Sequence, residues 1–313
     1  MNVLDAIGNT TMVQLGRITP SNGARIVVKC EWENPTGSMK DRMALAAIAR
    51  AEQDGRLKPG GTVIEYTGGS TGASLALVCA AKGYRSRIVT SDAFAREKLD
   101  QMRAFGAELV IVPSEGGKTT KKLINDMIEV ARTLSQEPGT FWTDQLQNRD
   151  SIAGYHGLGE EIWAQSGGRV DAFVHSVGTS ASLQGVAQAL RKHNPKVRII
   201  AVEPAESAVL TGGEAAPHNI EGVGIGRRPP MWDPAAIDEV LAVATEDAKV
   251  MARRLAKEEA IFAGTSSGAN VIAALQVAER LAPTSTVATL MVDSGLKYVG
   301  TDVYRPGHGQ APT

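Results

Sequence analysis

Strand-like and helix-like segments alternate along most of this sequence, and the alternation restricts the fold to a small set. Short apolar segments rich in Val and Ile have the pattern of buried strands: RIVVKC, TVIEY, RIVTS, ELVIVP, AFVHSVG, RIIAVEP and VATLMV. Ala-rich segments such as TGASLALVCAAKGY separate most of them and have helical character. This order predicts an α/β fold with parallel sheets and helices on both sheet faces.

The length indicates more than one domain. At ~100 to 200 residues per domain, a chain of 313 residues is expected to form two. The regular alternation breaks within PGTFWTDQLQNRDS, residues 138–151, so we expect a domain boundary there.

Composition excludes several classes of protein. The 33 basic and 34 acidic residues give a net charge of -1, so no overall positive field favours nucleic acid or an anionic membrane. No apolar segment approaches the ~20 residues of a membrane span, and the first residues, MNVLDAIGNTTMVQL, lack the features of a signal peptide. The sequence therefore predicts a cytoplasmic protein.

The thiol and imidazole side chains give no metal-binding pattern. Cys30 and Cys79 are far apart and form no CxxC pair, so both are interpreted as core residues. The five histidines lack ligand spacing, and no metal is predicted.

Three loops of Gly, Ser and Thr are predicted to connect a strand to a helix: YTGGSTGAS at 66–74, SVGTSASLQG at 176–185 and FAGTSSGAN at 262–270. Such loops present main-chain N–H groups and hydroxyls to an anion such as a phosphate or carboxylate. A single loop of this kind is commonplace as an ordinary helix cap. Three in one chain are more suggestive of an anionic ligand.

Lys40, in NPTGSMKDR, is predicted to lie in the first turn of a helix. The helix dipole disfavours a cation there, and removal from water disfavours it further. Both effects favour the neutral amine, which can form a Schiff base with an aldehyde. Pyridoxal phosphate needs such a lysine, a phosphate site, a partner for the pyridine nitrogen and a substrate carboxylate site. A solvated lysine beside Asp41 and Arg42 remains the alternative.

Other motifs match less well. SEGGKTT has Val112 where a nucleotide-binding P-loop needs its first glycine, and GVGIG at 222–226 follows no recognisable strand. GTSSG matches the nucleophile elbow of serine hydrolases around Ser266, with Asp293 and His308 following in the required order. A serine hydrolase is therefore the alternative from a different class, although no HGGG-type oxyanion segment is visible.

Several motifs together resemble one family. IGNTTMVQL, ENPTGSMKDRMA, TGGSTG, GTSAS, AVEPAESAVLTGG, GTSSGAN and DSGLKY are similar in order and spacing to motifs of the cysteine synthase (O-acetylserine sulfhydrylase) and cystathionine β-synthase family of fold type II pyridoxal-phosphate enzymes. The resemblance implies two three-layer α/β domains with mostly parallel sheets, pyridoxal 5'-phosphate between them, and a homodimer. The large cofactor-binding domain would comprise residues 1–45 and 147–313, and the smaller mobile substrate-loop domain residues 46–146.

The same resemblance assigns roles to individual residues. Lys40 resembles the Schiff-base lysine, which also acts as general base, and Ser266 resembles the partner of the pyridine nitrogen. The phosphate loop is Gly178, Thr179, Ser180, Ala181 and Ser182. The substrate carboxylate would be held by Thr67, Gly68, Gly69 and Thr71, with help from Gln145.

Four residues in these loops depart from the family pattern. The family usually reads TSGNTG, so Gly68 replaces a serine and Ser70 replaces the asparagine that contacts the 3' oxygen of the cofactor. Ser180 and Ala181 stand where two glycines are usual, which is tolerable if their backbone angles stay negative.

The resemblance implies β-replacement on an activated L-serine through an α-aminoacrylate intermediate. The expected reaction converts O-acetyl-L-serine and sulfide to L-cysteine and acetate. An O-phosphoserine donor, homocysteine or a nitrogen nucleophile is the alternative within the same chemistry, and an inert partner subunit is disfavoured by Lys40. Arg227 and Arg228, near the expected mouth of the site, are either solvated or bind a dianionic leaving group.

Overall fold

The computed structural model describes residues 1–305 of the chain. The strands are β1 (Met12–Gln14), β2 (Arg25–Cys30), β3 (Thr62–Tyr66), β4 (Arg85–Thr90), β5 (Glu108–Ile111), β6 (Thr140–Trp142), β7 (Ala172–Ser176), β8 (Arg198–Pro204), β9 (Glu239–Val243) and β10 (Thr286–Met291). The α-helices are α1 (Lys40–Gln53), α2 (Ser70–Lys82), α3 (Arg96–Ala104), α4 (Lys121–Leu134), α5 (Asp150–Ala153), α6 (His156–Gln165), α7 (Ala181–His193), α8 (Thr245–Glu258) and α9 (Thr265–Ala278). Within this described range, no helix combines the length and apolar character that crossing a bilayer requires.

Every strand predicted from the sequence is present, and the predicted bounds of β2, β3 and β8 agree with those observed. The sequence did not reveal β1, β6 or β9. The first two have only three residues each, and the residues of β9 are mostly half-buried rather than a buried apolar run.

The chain forms two compact units. The first comprises Met1–Ile7 and Lys40–Gly154, and the second comprises Gly8–Met39 and residues 155–305. Met1–Ile7 belongs to the first unit because Leu4 and Ile7 pack against its core, whereas the sequence-based domain bounds grouped these residues with the larger domain. Those predicted bounds differ from the unit bounds by several residues elsewhere as well.

The first unit contains a parallel sheet with the strand order β5-β4-β3-β6. Neighbouring residues of β3 point to opposite faces, as the two-residue period of a strand requires. Val63 packs with Ile48 and Leu75 of α1 and α2, and Ile64 packs with Met127 of α4. The sheet is therefore covered on both faces, which gives three layers.

The second unit contains a sheet with the order β1-β2-β10-β7-β8-β9, in which only the β1–β2 pair is antiparallel. Val174 of β7 packs on one face in a cluster with Ala274 and Val277 of α9. Phe173, the preceding residue, points to the other face and is fully buried; α7 contacts β7. The predicted α/β class with mostly parallel sheets is confirmed.

Candidate active site

Lys40 is the first residue of α1, as the sequence predicted. Its side chain is half-buried. The next residue, Asp41, is fully buried, and its carboxylate accepts a hydrogen bond of 2.5 Å from the hydroxyl of Ser74 on α2. This bond fixes the first turn of α1 against α2, so the stem of Lys40 starts from a rigid backbone.

The loop 67–69 connects β3 to α2 within the first unit, as predicted. The Gly69 N–H donates to the Thr67 hydroxyl at 3.1 Å, and the Gly72 N–H donates to the Gly69 carbonyl at 3.1 Å. Gly69 supplies no side-chain cap, and the first turn of α2 carries no acidic residue. No side chain at the start of α2 therefore neutralises the positive end of the helix dipole, and this uncompensated positive end favours a carboxylate ligand.

The structure brings together Thr71 and Gln145, two predicted substrate-binding residues that are far apart in sequence. The Thr71 hydroxyl donates to Oε1 of Gln145 at 2.8 Å. Because this bond uses the amide oxygen, the orientation of the Gln145 amide is set and its Nε2 hydrogens point away from Thr71. Such an amide can donate to a carboxylate.

A buried acid supports the position of Gln145. Both oxygens of Glu65 accept hydrogen bonds: from the N–H groups of Tyr66 and Gln145 at 2.9 Å, the Thr143 hydroxyl at 2.6 Å and the indole of Trp142 at 3.4 Å. Burial raises the pKa of Glu65 to about 7, and these hydrogen bonds oppose the rise. Sequence reasoning missed Glu65, although a glutamate inside the apolar segment TVIEY is a visible signal.

The replacement of the family's serine by Gly68 has a steric cause. A Cβ atom on Gly68 would lie 2.1 Å from ring atoms of Phe94. The ring thus occupies the space that a serine side chain would need. Phe94 was also missed, because nothing in its local sequence, SDAFARE, links it to a loop more than twenty residues earlier.

The predicted phosphate loop connects β7 to α7 in the second unit. The first turn of α7 has no acidic residue, and Ser180 makes no side-chain cap bond. Within residues 1–305, the N–H groups of Thr179, Ser180 and Ser182 have no hydrogen-bond acceptor. A Cβ on Gly178 would lie 2.4 Å from the Gly222 carbonyl, so this position requires glycine. The loop is a cradle of unpaired donors of the kind that binds a phosphate.

Negative backbone angles, the condition under which the two replacements in this loop would be tolerated, are not met at one residue. Ser180 has φ 75° and ψ -14°, in the left-handed region, whereas Ala181 begins α7. The turn from β7 into α7 requires this conformation, which costs a residue with a Cβ about 1–2 kcal/mol. Gln184 donates to the Ser180 hydroxyl at 3.2 Å, and its N–H donates to the Ser180 carbonyl at 3.1 Å. These two bonds hold Ser180 in place.

The hydroxyl of Ser182 is bonded to a buried histidine. Nε2 of His175 lies 2.8 Å from Oγ of Ser182, and Nδ1 of His175 lies 3.3 Å from Nδ2 of Asn270. Neither His175 nor Asn270 was predicted from the sequence to support this loop. The signal available in the sequence was the polar residue inside the apolar segment AFVHSVG.

Ser266 is the second residue of α9 and is only 2% exposed. The hydroxyls beside it have partners: Thr265 accepts from the Glu221 N–H at 3.1 Å and Ser267 accepts from the Val292 N–H at 2.9 Å. The side chain of Ser266 makes no hydrogen bond to residues 1–305. A buried hydroxyl without a protein partner suits a ligand atom such as a pyridine nitrogen.

Two details around Ser266 differ from the sequence-based expectations. Among the described residues, no strand leads directly into α9, because α8 lies between β9 and α9 and Ala263 forms only an isolated bridge with Ser294. Asp293, the acid required by the hydrolase alternative, accepts a hydrogen bond of 2.8 Å from the Tyr298 hydroxyl. His308 of that alternative lies outside the described residues.

The remaining candidate residues have simpler surroundings. Ser70 is the half-buried first residue of α2. The guanidinium of Arg228 donates to the carbonyls of Val209 and Leu210 at 3.4 and 3.3 Å. Arg227 is exposed and makes no hydrogen bond to the rest of residues 1–305.

Each unit contains groups of the kinds that pyridoxal phosphate requires: the first has an amine at Lys40, and the second has a phosphate cradle at the start of α7 and, at Ser266, a hydroxyl without a partner among residues 1–305. Residues 3–293 match the family described as pyridoxal-phosphate dependent enzymes, and the chain belongs to it. The protein is therefore an enzyme that uses pyridoxal phosphate.

Within this family the chain is similar to cysteine synthases. It is 40% identical to the cysteine synthase of Staphylococcus aureus over 306 residues, which cover 97% of this chain and 96% of the relative. The crystal structure of the Entamoeba histolytica cysteine synthase matches with a TM-score of 0.91 and 38% identity, covering 100% of this chain and 92% of the other. An O-ureido-L-serine synthase structure matches with a TM-score of 0.90 and 37% identity, covering 99% and 96%.

Proposed function

We propose that this enzyme performs β-replacement on an activated L-serine, with O-acetyl-L-serine as donor and sulfide as nucleophile, and that it releases L-cysteine and acetate. The observation that carries the proposal is the buried hydroxyl of Ser266. A neutral hydroxyl opposite the pyridine nitrogen leaves that nitrogen largely unprotonated, which favours elimination over transamination. The similarity to cysteine synthases supports the same reaction.

Bound pyridoxal phosphate supplies an aldehyde and an electron-withdrawing ring. In the proposed mechanism, Nζ of Lys40 would hold the cofactor through its aldehyde, and the same amine would accept the α-proton of the amino acid. The Ser266 hydroxyl donates to the pyridine nitrogen. Ser70 replaces an asparagine and is shorter, so we propose that it reaches the 3' oxygen through a water molecule.

The phosphate is assigned to the loop from Gly178 to Ser182. Its unpaired N–H groups and the Ser182 hydroxyl are neutral donors, and the dipole of α7 adds to their attraction for a dianion.

The substrate carboxylate is assigned to the segment from Thr67 to Thr71 and to Gln145. The donors at the start of α2 attract the carboxylate, and the Thr71 hydroxyl orients the Gln145 amide so that its Nε2 donates. Gly69, where an added Cβ would meet no atom within 4 Å, lets the ligand approach the main chain closely, whereas the space beside Gly68 is filled by the Phe94 ring.

The first experiment assays cysteine formation from O-acetyl-L-serine and sulfide. We expect the purified protein to absorb visible light, and borohydride to bleach this absorption and fix the cofactor on the peptide that contains Lys40. Lys40→Ala should abolish cysteine formation, whereas Lys58→Ala, at an exposed lysine of the same unit, should not. Full turnover by Lys40→Ala would contradict the proposal, and labelling of Ser266 by a fluorophosphonate would favour a serine hydrolase.

A second donor, O-phosphoserine, is favoured by the exposed guanidinium of Arg227, which makes no hydrogen bond within residues 1–305 and can bind a dianion in a bidentate way. If Arg227 has this role, O-phosphoserine should react faster than O-acetylserine at low salt, and Arg227→Ala should remove the difference. Arg228→Ala is the matched control, because the Arg228 guanidinium is already bonded to two carbonyls. No reaction with O-phosphoserine would leave O-acetylserine as the donor.

The nucleophile needs its own test, since an O-ureido-L-serine synthase is about as similar in structure as a cysteine synthase. Sulfide, homocysteine and an amine should be compared at equal concentration with the same donor. We expect sulfide to give the highest kcat/KM, and a preference for another nucleophile would reassign the product.

We further propose that the enzyme is a cytoplasmic homodimer, as the family resemblance implies. Light scattering coupled to size-exclusion chromatography of the full chain tests the assembly. A monomer mass would refute that part of the proposal without affecting the reaction.

A further inference from the structure

A line of buried hydrogen bonds ends at the predicted phosphate loop. It runs from Asn270 on α9 to His175 on β7 and then to Ser182 on α7, all within the second unit. Asn270 is 0% exposed, His175 1% and Ser182 7%. Because these side chains are buried, bulk water cannot replace their hydrogen bonds to the protein. It therefore matters which atom of each bond is the donor.

Two main-chain groups fix the orientation of the Asn270 amide. Its Oδ1 accepts from the Ser176 N–H at 2.7 Å, and its Nδ2 donates to the Leu290 carbonyl at 2.8 Å. Rotating the amide by 180° would place Nδ2 against an N–H and Oδ1 against a carbonyl, which loses both bonds. Nδ2 therefore faces His175 as a donor.

The orientation of Asn270 determines the tautomer of His175. A hydrogen of Nδ2 points to Nδ1 of the imidazole, so Nδ1 must accept, and a neutral imidazole then carries its hydrogen on Nε2. Nε2 donates in turn to Oγ of Ser182 at 2.8 Å. The hydrogen of the Ser182 hydroxyl cannot point to His175 and must point elsewhere.

No acceptor for that hydrogen is present among residues 1–305, where the only hydrogen bond of Ser182 Oγ is the one from His175. The hydroxyl lies in the first turn of α7, beside the unpaired N–H groups of the loop. An imidazole that accepted from Ser182 would leave the loop one donor short for an anion.

We propose that His175 is a positioning residue for the cofactor phosphate: held as the Nε2–H tautomer by Asn270, it turns the Ser182 hydroxyl into an obligatory donor to the phosphate. The proposal rests on the assignment of residues 178–182 as the phosphate loop. It requires no contact between His175 and the cofactor.

The first test is made on the unsubstituted protein. Nitrogen-15 spectra of imidazole-labelled protein, prepared without cofactor, should show His175 with an unprotonated Nδ1 and a protonated Nε2. Protonation at Nδ1 would overturn the proposal, whatever the substituted proteins do.

The second test measures ligand binding rather than turnover. His175→Leu should weaken binding of pyridoxal phosphate to the apoprotein about tenfold, the effect of one hydrogen bond to a charged group, and should shift the phosphorus-31 resonance of the bound phosphate. Binding of pyridoxal, which lacks the phosphate, should stay unchanged. His175→Gln keeps a donor near the position of Nε2 and should restore most of the affinity.

A double-mutant cycle distinguishes positioning from a general loss of packing. In a Ser182→Ala background, His175→Leu should cause no further loss of pyridoxal phosphate affinity, because the hydroxyl that it orients is already absent. An equal loss in both backgrounds, or a parallel loss of pyridoxal binding, would show that His175 acts only through stability. If Ser182→Ala leaves phosphate affinity and the phosphorus resonance unchanged, the loop assignment fails. Cysteine formation by the unsubstituted enzyme would be unaffected by that failure.

Discussion

Replacing Gly68 by serine, the residue usual in the family at this position, is expected to damage this enzyme. The backbone at Gly68 is outside the left-handed region, so the chain conformation alone would accept a serine. The obstacle is Phe94, whose ring atoms would lie 2.1 Å from the new Cβ. Restoring the family residue should therefore harm the protein for a steric reason.

The magnitude follows from the required movement. An ordinary contact begins at 3.4 Å, so the ring must retreat by 3.4 minus 2.1, or 1.3 Å, and Phe94 packs against two clusters of buried side chains in the first unit. Overpacking of this kind costs about 1–3 kcal/mol of unfolding free energy. The same displacement moves the segment that we assign to the substrate carboxylate, so KM for O-acetyl-L-serine should rise as well.

The assay is urea unfolding of Gly68→Ser, Phe94→Ala and the double variant, with KM measured in parallel. In the Phe94→Ala background, Gly68→Ser should cost less than about 0.5 kcal/mol, because the obstacle has been removed. For the unfolding measurement, Gly69→Ser is the matched control, since a Cβ at Gly69 meets no atom within 4 Å and its φ is -128°. Equal costs of Gly68→Ser with and without the Phe94 ring would refute the reasoning.

Burial raises the pKa of Glu65 from 4.5 to about 7. The protonated carboxyl therefore stabilises the folded state fully below pH ~4.5, and this contribution of ~3 kcal/mol to the free energy of unfolding is lost as the pH rises through 7. The urea midpoint of the unsubstituted protein should therefore decrease more steeply from pH 5 to pH 8 than the midpoint of Glu65→Gln. Parallel decreases of the two midpoints would exclude a stabilising role of the protonated Glu65 carboxyl. Ser180→Gly should raise the unfolding free energy by about 0.5–1 kcal/mol, because glycine adopts φ 75° without strain; a lower urea midpoint would show that the bond from Gln184 matters more. Burial raises the pKa of both Cys30 and Cys79 to about 12, so a thiol reagent should label neither without denaturant and both with it; rapid labelling of the native protein would contradict their buried positions.

Local sequence was sufficient for most of the fold. The segments that became β2, β3 and β8 were predictable because buried parallel strands leave continuous runs of Val and Ile. The starts of α1, α2 and α7 were predictable because small residues and the onset of helical periodicity mark a helix N-terminus over a few residues. Family motifs then assigned roles to Lys40 and Ser266.

Short and half-buried elements were not predictable in this way. The strands β1 and β6 have three residues each, too few for a period to emerge, and β9 has no buried apolar run. They form strands because neighbouring strands supply hydrogen-bond partners, which is a property of the assembled sheet.

The sequence by itself determined the α/β class, the helix that begins at Lys40, and the loops that present donors at the starts of α2 and α7. Only the tertiary structure decided which side chains support those loops: Phe94 against Gly68, Glu65 behind Gln145, and the line from Asn270 through His175 to Ser182. The partners in these contacts are separated by as many as 95 residues, so no local period or propensity records them. The left-handed angle of Ser180 has the same origin, because the connection between β7 and α7 imposes it on a residue whose own preference opposes it.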